Sequence, residues 1–330
     1  MEQHIPLTSS EISILWVSYQ SETMSLYTFM HFEKVVEDED IKNIIQKYIN
    51  TSQVHIEKLK EIFAKEESPA PIGYNEHDVN LQAPRLFSDI TSAFLLKFIV
   101  ELGMQTHANA LKSSARKDIR DFSNECLIDY IALTNEVTNM LLQKGIFVRP
   151  PSIPIPDHTE FVQGTGYLTG WFGKRRPVHA TQLNQLFLNV QRNILGKTLL
   201  IGFSQTVSSE KVRKHFQFGK EMSKKLLDSF ELFLSDVELD ASIPNQLTVT
   251  DSTKAPFSDK LMMGILLTII RYAIVFYGES LAVSSRRDLF GFYSKIISET
   301  AVYANQTIKL AVELGYLERE PEAIDYDELT

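Results

Sequence analysis

The chain has 330 residues, of which 44% are hydrophobic and 23% charged, ordinary values for about two globular domains. Lys+Arg 33 against Asp+Glu 42 leave a net charge of −9, which repels polyphosphate on average and argues against general nucleic-acid binding. The single cysteine, Cys126, excludes an intrachain disulfide and a cysteine-based zinc site.

The start, Met1-Glu2-Gln3-His4, lacks the basic and apolar regions of a signal peptide, so the reading is a soluble intracellular protein. A first helix is predicted from Ser9 to about Glu37, with Ile12, Leu15, Tyr19, Leu26, Phe29 and Val36 at coiled-coil spacing. Thr8, Ser9 and Ser10 offer its N-cap and Glu11 sits in the first turn. The second helix runs from Glu39 to Lys65, with Ile41, Ile45, Tyr48, Leu59 and Ile62 on its seam. A long connection containing Pro and Asn follows, from Glu66 to Leu81. The third helix covers about Ala83 to Ser113; Arg116-Lys117-Asp118 opens the fourth, which ends at Gly145, a natural C′ residue.

Residues 147–178 contain five prolines, which favour an extended path. Phe161, Tyr167, Trp171 and Phe172 are expected to pack this segment against the helices. Its glycines fail the spacing of a nucleotide loop, and Lys174-Arg175-Arg176 reads as a capping or ion-pairing run. Four more helices follow near 179–207, 209–236, 255–283 and 287–314. Within the third of these, Leu261–Gly278 has the length of a membrane span, but Arg271 at its centre argues for a buried core helix. The stretch from Glu318 to Glu328 forms an acidic tail.

Self-comparison explains the doubling. Phe87-Ser88-Asp89 recurs as Phe257-Ser258-Asp259 (257 − 87 = 170), and Arg116-Lys117-Asp118-Ile119 matches Arg286-Arg287-Asp288-Leu289 at the same offset. Upstream the offset is 171, pairing Pro6 with Pro177, Leu15 with Leu186, Gln20 with Gln191 and Phe32 with Phe203. A period this long means two homologous domains. Short connections after the first and third helices, and a long one after the second, give one crossover per domain. The expected fold is therefore all-α, a tandem duplication of two ferritin-like up-down-down-up four-helix bundles. Residues 1–146 form the first bundle, 147–178 a linker, and 179–330 the second bundle with its acidic tail.

Ferritin-like bundles can house a two-metal site, which takes a Glu from each of two helices and Glu-x-x-His from the other two. At a common depth the first bundle offers Glu22, His55, Glu101 and Asp129, one per helix. Ser52 and Ala132 stand where the second carboxylate or histidine is required, so this set suits one divalent metal (Fe, Mn or Zn) or a buried hydrogen-bonded cluster. The second bundle places Asn193, Leu226, Arg271 and Glu299 there; Arg271 repels a cation and is expected to pair with Glu299. His107 follows Glu101 by six residues and faces another side. Cys126 reads as a buried inert thiol. Tyr19, Tyr48, Phe94 and Tyr130 read as core, or as the lining of a small-molecule cavity.

The stretches HIEKLKEIF (55–63), NLQAPRLFSDI (80–90), GWFGKRRPV (170–178) and VTDSTKAPFSDKLMM (249–263) resemble domain of unknown function family 3231. This is a group of tandem ferritin-like proteins of spore-forming bacilli, related to spore coat protein F, and the resemblance runs from about Leu7 to Pro321. It implies a setting in sporulation or the spore coat. The resemblance also implies a cytoplasmic product deposited on the spore, and other proteins, spore-coat components among them, as partners. The lack of a complete catalytic constellation and of a metal pair in the second bundle points to a non-enzymatic structural or protein-binding role; the alternative is a metal-binding protein of oxidoreductase type acting through the first bundle. Leu226 departs from the histidine that relatives often carry at that position. No membrane span is expected, and a homo-oligomer is compatible with the duplication.

Overall fold

A computed structural model describes residues 5–171, 176–235 and 246–324. The expectations placed on Met1–His4, Phe172, Lys174-Arg175, the end of the sixth helix at 236 and the last acidic residues fall outside that range. Eight long helices carry the described chain: α1 Ser9–Val35, α2 Glu39–Lys65, α3 Asp89–Ser113, α4 Lys117–Gln143, α5 Ala180–Thr206, α6 Glu210–Ser235, α7 Asp259–Ala282 and α8 Arg287–Glu313. No β-strand occurs among the described residues, only two isolated bridges. The duplication is visible in the boundaries, since α1 maps onto α5 at an offset of 171 and α4 onto α8 at 170. One residue is lost in the crossover between.

The first bundle is laced at both ends by an acid, the second at one. At one end of the first bundle the Asp89 carboxylate accepts from the backbone N–H of Glu37 and Asp38 at 3.1 and 2.9 Å. The start of α3 therefore sits beside the α1–α2 turn. At the other end buried Glu11 accepts from the N–H groups of Ala115 and Arg116 at 2.9 and 2.8 Å. Together these contacts fix the up-down-down-up order. Asp259 repeats the first contact on Ser208 and Ser209 in the second bundle. The repeated Arg-x-Asp motif is an ion pair at the start of the fourth helix, Arg116–Asp118 and Arg286–Asp288, each at 2.7 Å.

α3 and α7 begin at Asp89 and Asp259, several residues later than the periodicity predicts. Pro84 and Pro256 lie in the missing turns, and Ser88 and Ser258 cap the helices that follow. The displaced segments pair across the two halves. Val79 bridges Phe257, and Phe87 bridges Val249; an offset of 170 turns each pair into the other, the signature of a two-fold contact. Phe32, Phe87, Phe203 and Phe257, the aromatics that align in the duplication, meet at this centre with ring separations of 5.9–6.4 Å. Gly202 packs against Phe87, where an added Cβ would lie 2.5 Å from the ring. The two bundles are a pseudo-dimer within one chain, and their core continues across the joint.

Two expectations change. α7 is the one described helix long and apolar enough to cross a membrane, with mean hydropathy 1.9, yet only 44% of that apolar window is buried. It is a core helix on one side only, because its other face lies along an open groove. In the linker, Tyr167 stacks under the Arg176 guanidinium at 3.9 Å and Trp171 abuts Gly291. Phe161, in contrast, is 91% exposed: it is not packed, because Pro150, Pro151, Pro154 and Pro156 hold the preceding stretch extended and off the bundles.

Candidate functional site

The polar layer of the first bundle is built on helix seams. On α1 the buried row Leu15, Tyr19, Glu22, Leu26, Phe29 alternates steps of four and three, which places Glu22 among apolar neighbours. On α2 the row Tyr48, Ser52, His55, Leu59 does the same, so Ser52 and His55 share one face. Glu22 and His55 are 2% and 1% exposed. Burial on that scale demands full satisfaction of the polar atoms.

The network satisfies them. Glu22 Oε1 lies 2.9 Å from His55 Nδ1 and accepts from the Tyr130 hydroxyl at 2.5 Å. Glu22 Oε2 accepts from the Ser52 hydroxyl at 2.7 Å. His55 Nε2 lies 3.1 Å from Asp129 Oδ2. With a carboxylate oxygen facing each ring nitrogen, both nitrogens act as donors only if the ring is an imidazolium. The proton balance agrees. Burial opposes charge on His55, but the Glu22 and Asp129 carboxylates outweigh it and raise the imidazole pKa. Burial likewise pushes Glu22 up, and hydrogen bonds with His55, Tyr130 and Ser52 bring it net below its ordinary value. Tyr130 and Cys126 are both driven upward, first by burial and then by the Glu22 charge, so they stay neutral.

Three of the four sequence-predicted residues therefore meet: Glu22, His55 and Asp129. Asp129 joins from the side, since Tyr130 holds the α4 seam and the Asp129 side chain is 49% exposed. Glu101 does not join. The α3 seam runs Leu96, Val100, Gly103, His107, Ala110, one residue off Glu101, which turns outward to pair with Lys97. His107 takes the place in the layer that Glu101 was expected to fill, its ring stacked on Tyr130 at 5.7 Å and 6.5 Å from His55. The four-three spacing of α3 carries that signal. Burial lowers the His107 pKa to about 4, so this ring is neutral, and its Nδ1 has no partner. A cavity of about 40 Å³ adjoins Glu22, Ser18, His107 and Tyr130.

The residues do not fit a two-metal centre, because Ser52 and Ala132 replace required donors and Glu101 is absent. Among the described residues no three His, Cys, Asp or Glu side chains are arranged around a common metal position. What the layer can do chemically is hold a buried imidazolium between two carboxylates, one of which reaches solvent.

The second bundle keeps the layer with neutral groups. Asn193, at the position of Glu22, donates to the Tyr277 hydroxyl at 2.8 Å, and Tyr277 occupies the position of His107. Leu226 fills the place of His55, and Thr300 that of Tyr130. The expected Arg271–Glu299 pair does not form: Glu299 faces Lys295 at 3.8 Å, while Arg271 lies exposed on the other side of α7.

A family model covers nearly all of this duplicated chain, matching residues 1–158 and 167–329. The chain belongs to the family described as Protein of unknown function (DUF3231). The two matched segments correspond to the two bundles. No curated protein matches the chain. Among solved structures it is similar to a provisionally assigned spore coat protein from Bacillus halodurans, with 21% identity and a TM-score of 0.39. That alignment covers 47% of this chain and 98% of the other, the length of one bundle.

Proposed function

We propose that this member of the family is a non-enzymatic, protein-binding scaffold of tandem ferritin-like bundles that acts in sporulation or on the spore coat. One observation carries the reading: the layer where a ferritin-like bundle would place reactive carboxylates is closed by its own hydrogen bonds. Glu22 spends its oxygens on Ser52, His55 and Tyr130. The second bundle supports the same reading with an amide–hydroxyl pair that carries no charge. The cellular setting, a cytoplasmic product deposited on the spore, rests on the family resemblance.

The competing reading is a single divalent ion bound near Glu22, His55 and Asp129. It is favoured by the partnerless His107 Nδ1 and Ser18 Oγ beside the small cavity. Elemental analysis separates the two. Protein purified without chelators and incubated with Fe(II), Mn(II) or Zn(II) is expected to hold only background metal, equal in the wild type and His55→Ala. About one ion per chain, lost in His55→Ala and in His107→Ala, overturns the scaffold reading. For the setting, a fluorescent fusion in a sporulating bacillus is expected on the developing spore; signal confined to the mother-cell cytoplasm through spore release would refute it.

A further inference from the structure

The open face of α7 borders a groove of about 660 Å³ between α1 of the first bundle and α7 and α8 of the second. That volume falls within the range of small-molecule sites, about 300–1,000 Å³. Its wall is apolar, including Trp16, Met24, Met263, Leu267, Ile274 and Ile308. Lys260 and Glu318 lie at one end and are already engaged. Lys260 donates to the Gly73 carbonyl at 2.6 Å, and Glu318 accepts from the N–H groups of Ile72 and Gly73 at 2.7 and 2.6 Å. Arg271 lines the same groove eleven residues further along α7, about 16 Å at the helical rise. It makes no ion pair, hydrogen bond or ring contact with any described residue. Glu320 also lines the groove and makes no ion pair with Arg271.

The duplication shows what is missing. On the related face of the other half, the position of Arg271 is Glu101 and that of Leu267 is Lys97, and these two pair with each other. The segment after α4 covers them: Phe147 lies over the Lys97 ammonium at 5.9 Å, and the Val148 carbonyl accepts from Gln191 at 3.2 Å. The matching segment after α8 does not close its groove. Glu318, in the place of Val148, is drawn to the crossover loop, and Leu317, in the place of Phe147, stands 49% exposed. One face thus supplies its own apolar cover and its own acid. The other has an apolar trough with no such segment over it and, among the described residues, no acid paired with Arg271.

We propose that this groove binds a long-chain aliphatic carboxylate, its headgroup on Arg271 and its tail along α7 toward Tyr316 and Leu317. An anion pairs with the guanidinium in a bidentate fork, and the tail covers the apolar face that leaves α7 half exposed. Gln20, the counterpart of Gln191, lines the groove and supplies an amide donor for the headgroup beside the guanidinium.

Trp16 reports on the site directly. In a Trp171→Phe background it is the only tryptophan, and 9,10-dibromostearate, titrated below its critical micelle concentration, should quench it saturably with one site per chain. Shortening the tail should weaken binding about fourfold per methylene. Arg271→Glu is expected to weaken binding at least tenfold, and the neutral methyl ester should bind as poorly to the unaltered site. Arg271 is exposed, so its replacement leaves the helical fold intact, which circular dichroism would verify. Ala304→Phe, which fills the trough from α8, should abolish quenching whatever the headgroup. Absence of saturable quenching overturns the proposal. So does equal affinity for acid and ester, or quenching only by brominated phosphatidylcholine vesicles, which would mark the face as a membrane contact.

Discussion

Replacing His55 with leucine copies the second bundle, where Leu226 occupies the same position, and leaves every other group of the layer in place. Two polar contacts disappear: His55 with Glu22 at 2.9 Å and with Asp129 at 3.1 Å. The Asp129 side chain is 49% exposed, so solvent screens its share to below about 1 kcal/mol. Glu22 is buried and loses its only cation, retaining Ser52 and Tyr130 as donors. Removing one partner of a buried ion pair costs about 3–5 kcal/mol, and His55→Leu should destabilise the first bundle by that amount. Glu22→Asn in the same chain removes the stranded charge and recreates the Asn193/Leu226 pairing, so the double variant should recover most of the loss. The assay is urea unfolding followed by Trp16 fluorescence in the Trp171→Phe background, because Trp16 lies in α1. Glu101→Gln serves as the contrast: its pair with Lys97 is half-buried beside Phe147, outside the Glu22–His55 network, and the glutamine oxygen still accepts from the ammonium, so the change should cost clearly less than His55→Leu. A cost under about 1 kcal/mol for His55→Leu, or losses that simply add in the double variant, would refute the view of Glu22 and His55 as one coupled unit.

Stability should also depend on pH through this pair. His55 is raised above 6.5, so its contribution is full below that pH and fades as pH climbs through the raised value; Glu22 is lowered from 4.5, so its contribution is full above 4.5 and fades as pH falls through the lowered value. The stability difference between the wild type and the Glu22→Asn/His55→Leu variant should therefore plateau between about pH 4.5 and 6.5 and shrink on both sides. A difference that grows toward pH 9 would contradict that sign. At the joint between the bundles, Gly202→Val should cost about 1–3 kcal/mol, because a Cβ there meets the buried Phe87 ring at 2.5 Å. An unchanged urea midpoint for both bundles would show that the four-phenylalanine centre can shift to accommodate it.

The sequence by itself determined the eight helices, the duplication, the one-crossover order and two members of the buried layer. Each rests on local regularities: a four-three apolar rhythm, capping residues, the placement of prolines and a fixed offset between the halves. Glu22 and His55 were legible because a polar residue on an apolar seam has only the interior to face. Glu101 was misplaced by one position, since depth along a helix was matched while its rotation, about 100° per residue, was not; reading the α3 seam through His107 removes that error. Other features depend on which distant surfaces meet. The pairing of the crossover segments, the convergence of Phe32, Phe87, Phe203 and Phe257, and the capture of Glu318 by Ile72 and Gly73 involve residues far apart along the chain. Only the tertiary structure decided that one half covers its own apolar face with Phe147 while the other leaves Arg271 beside an open groove. Two nearly identical sets of helices end differently there because a single carboxylate finds two backbone N–H groups in a neighbouring loop.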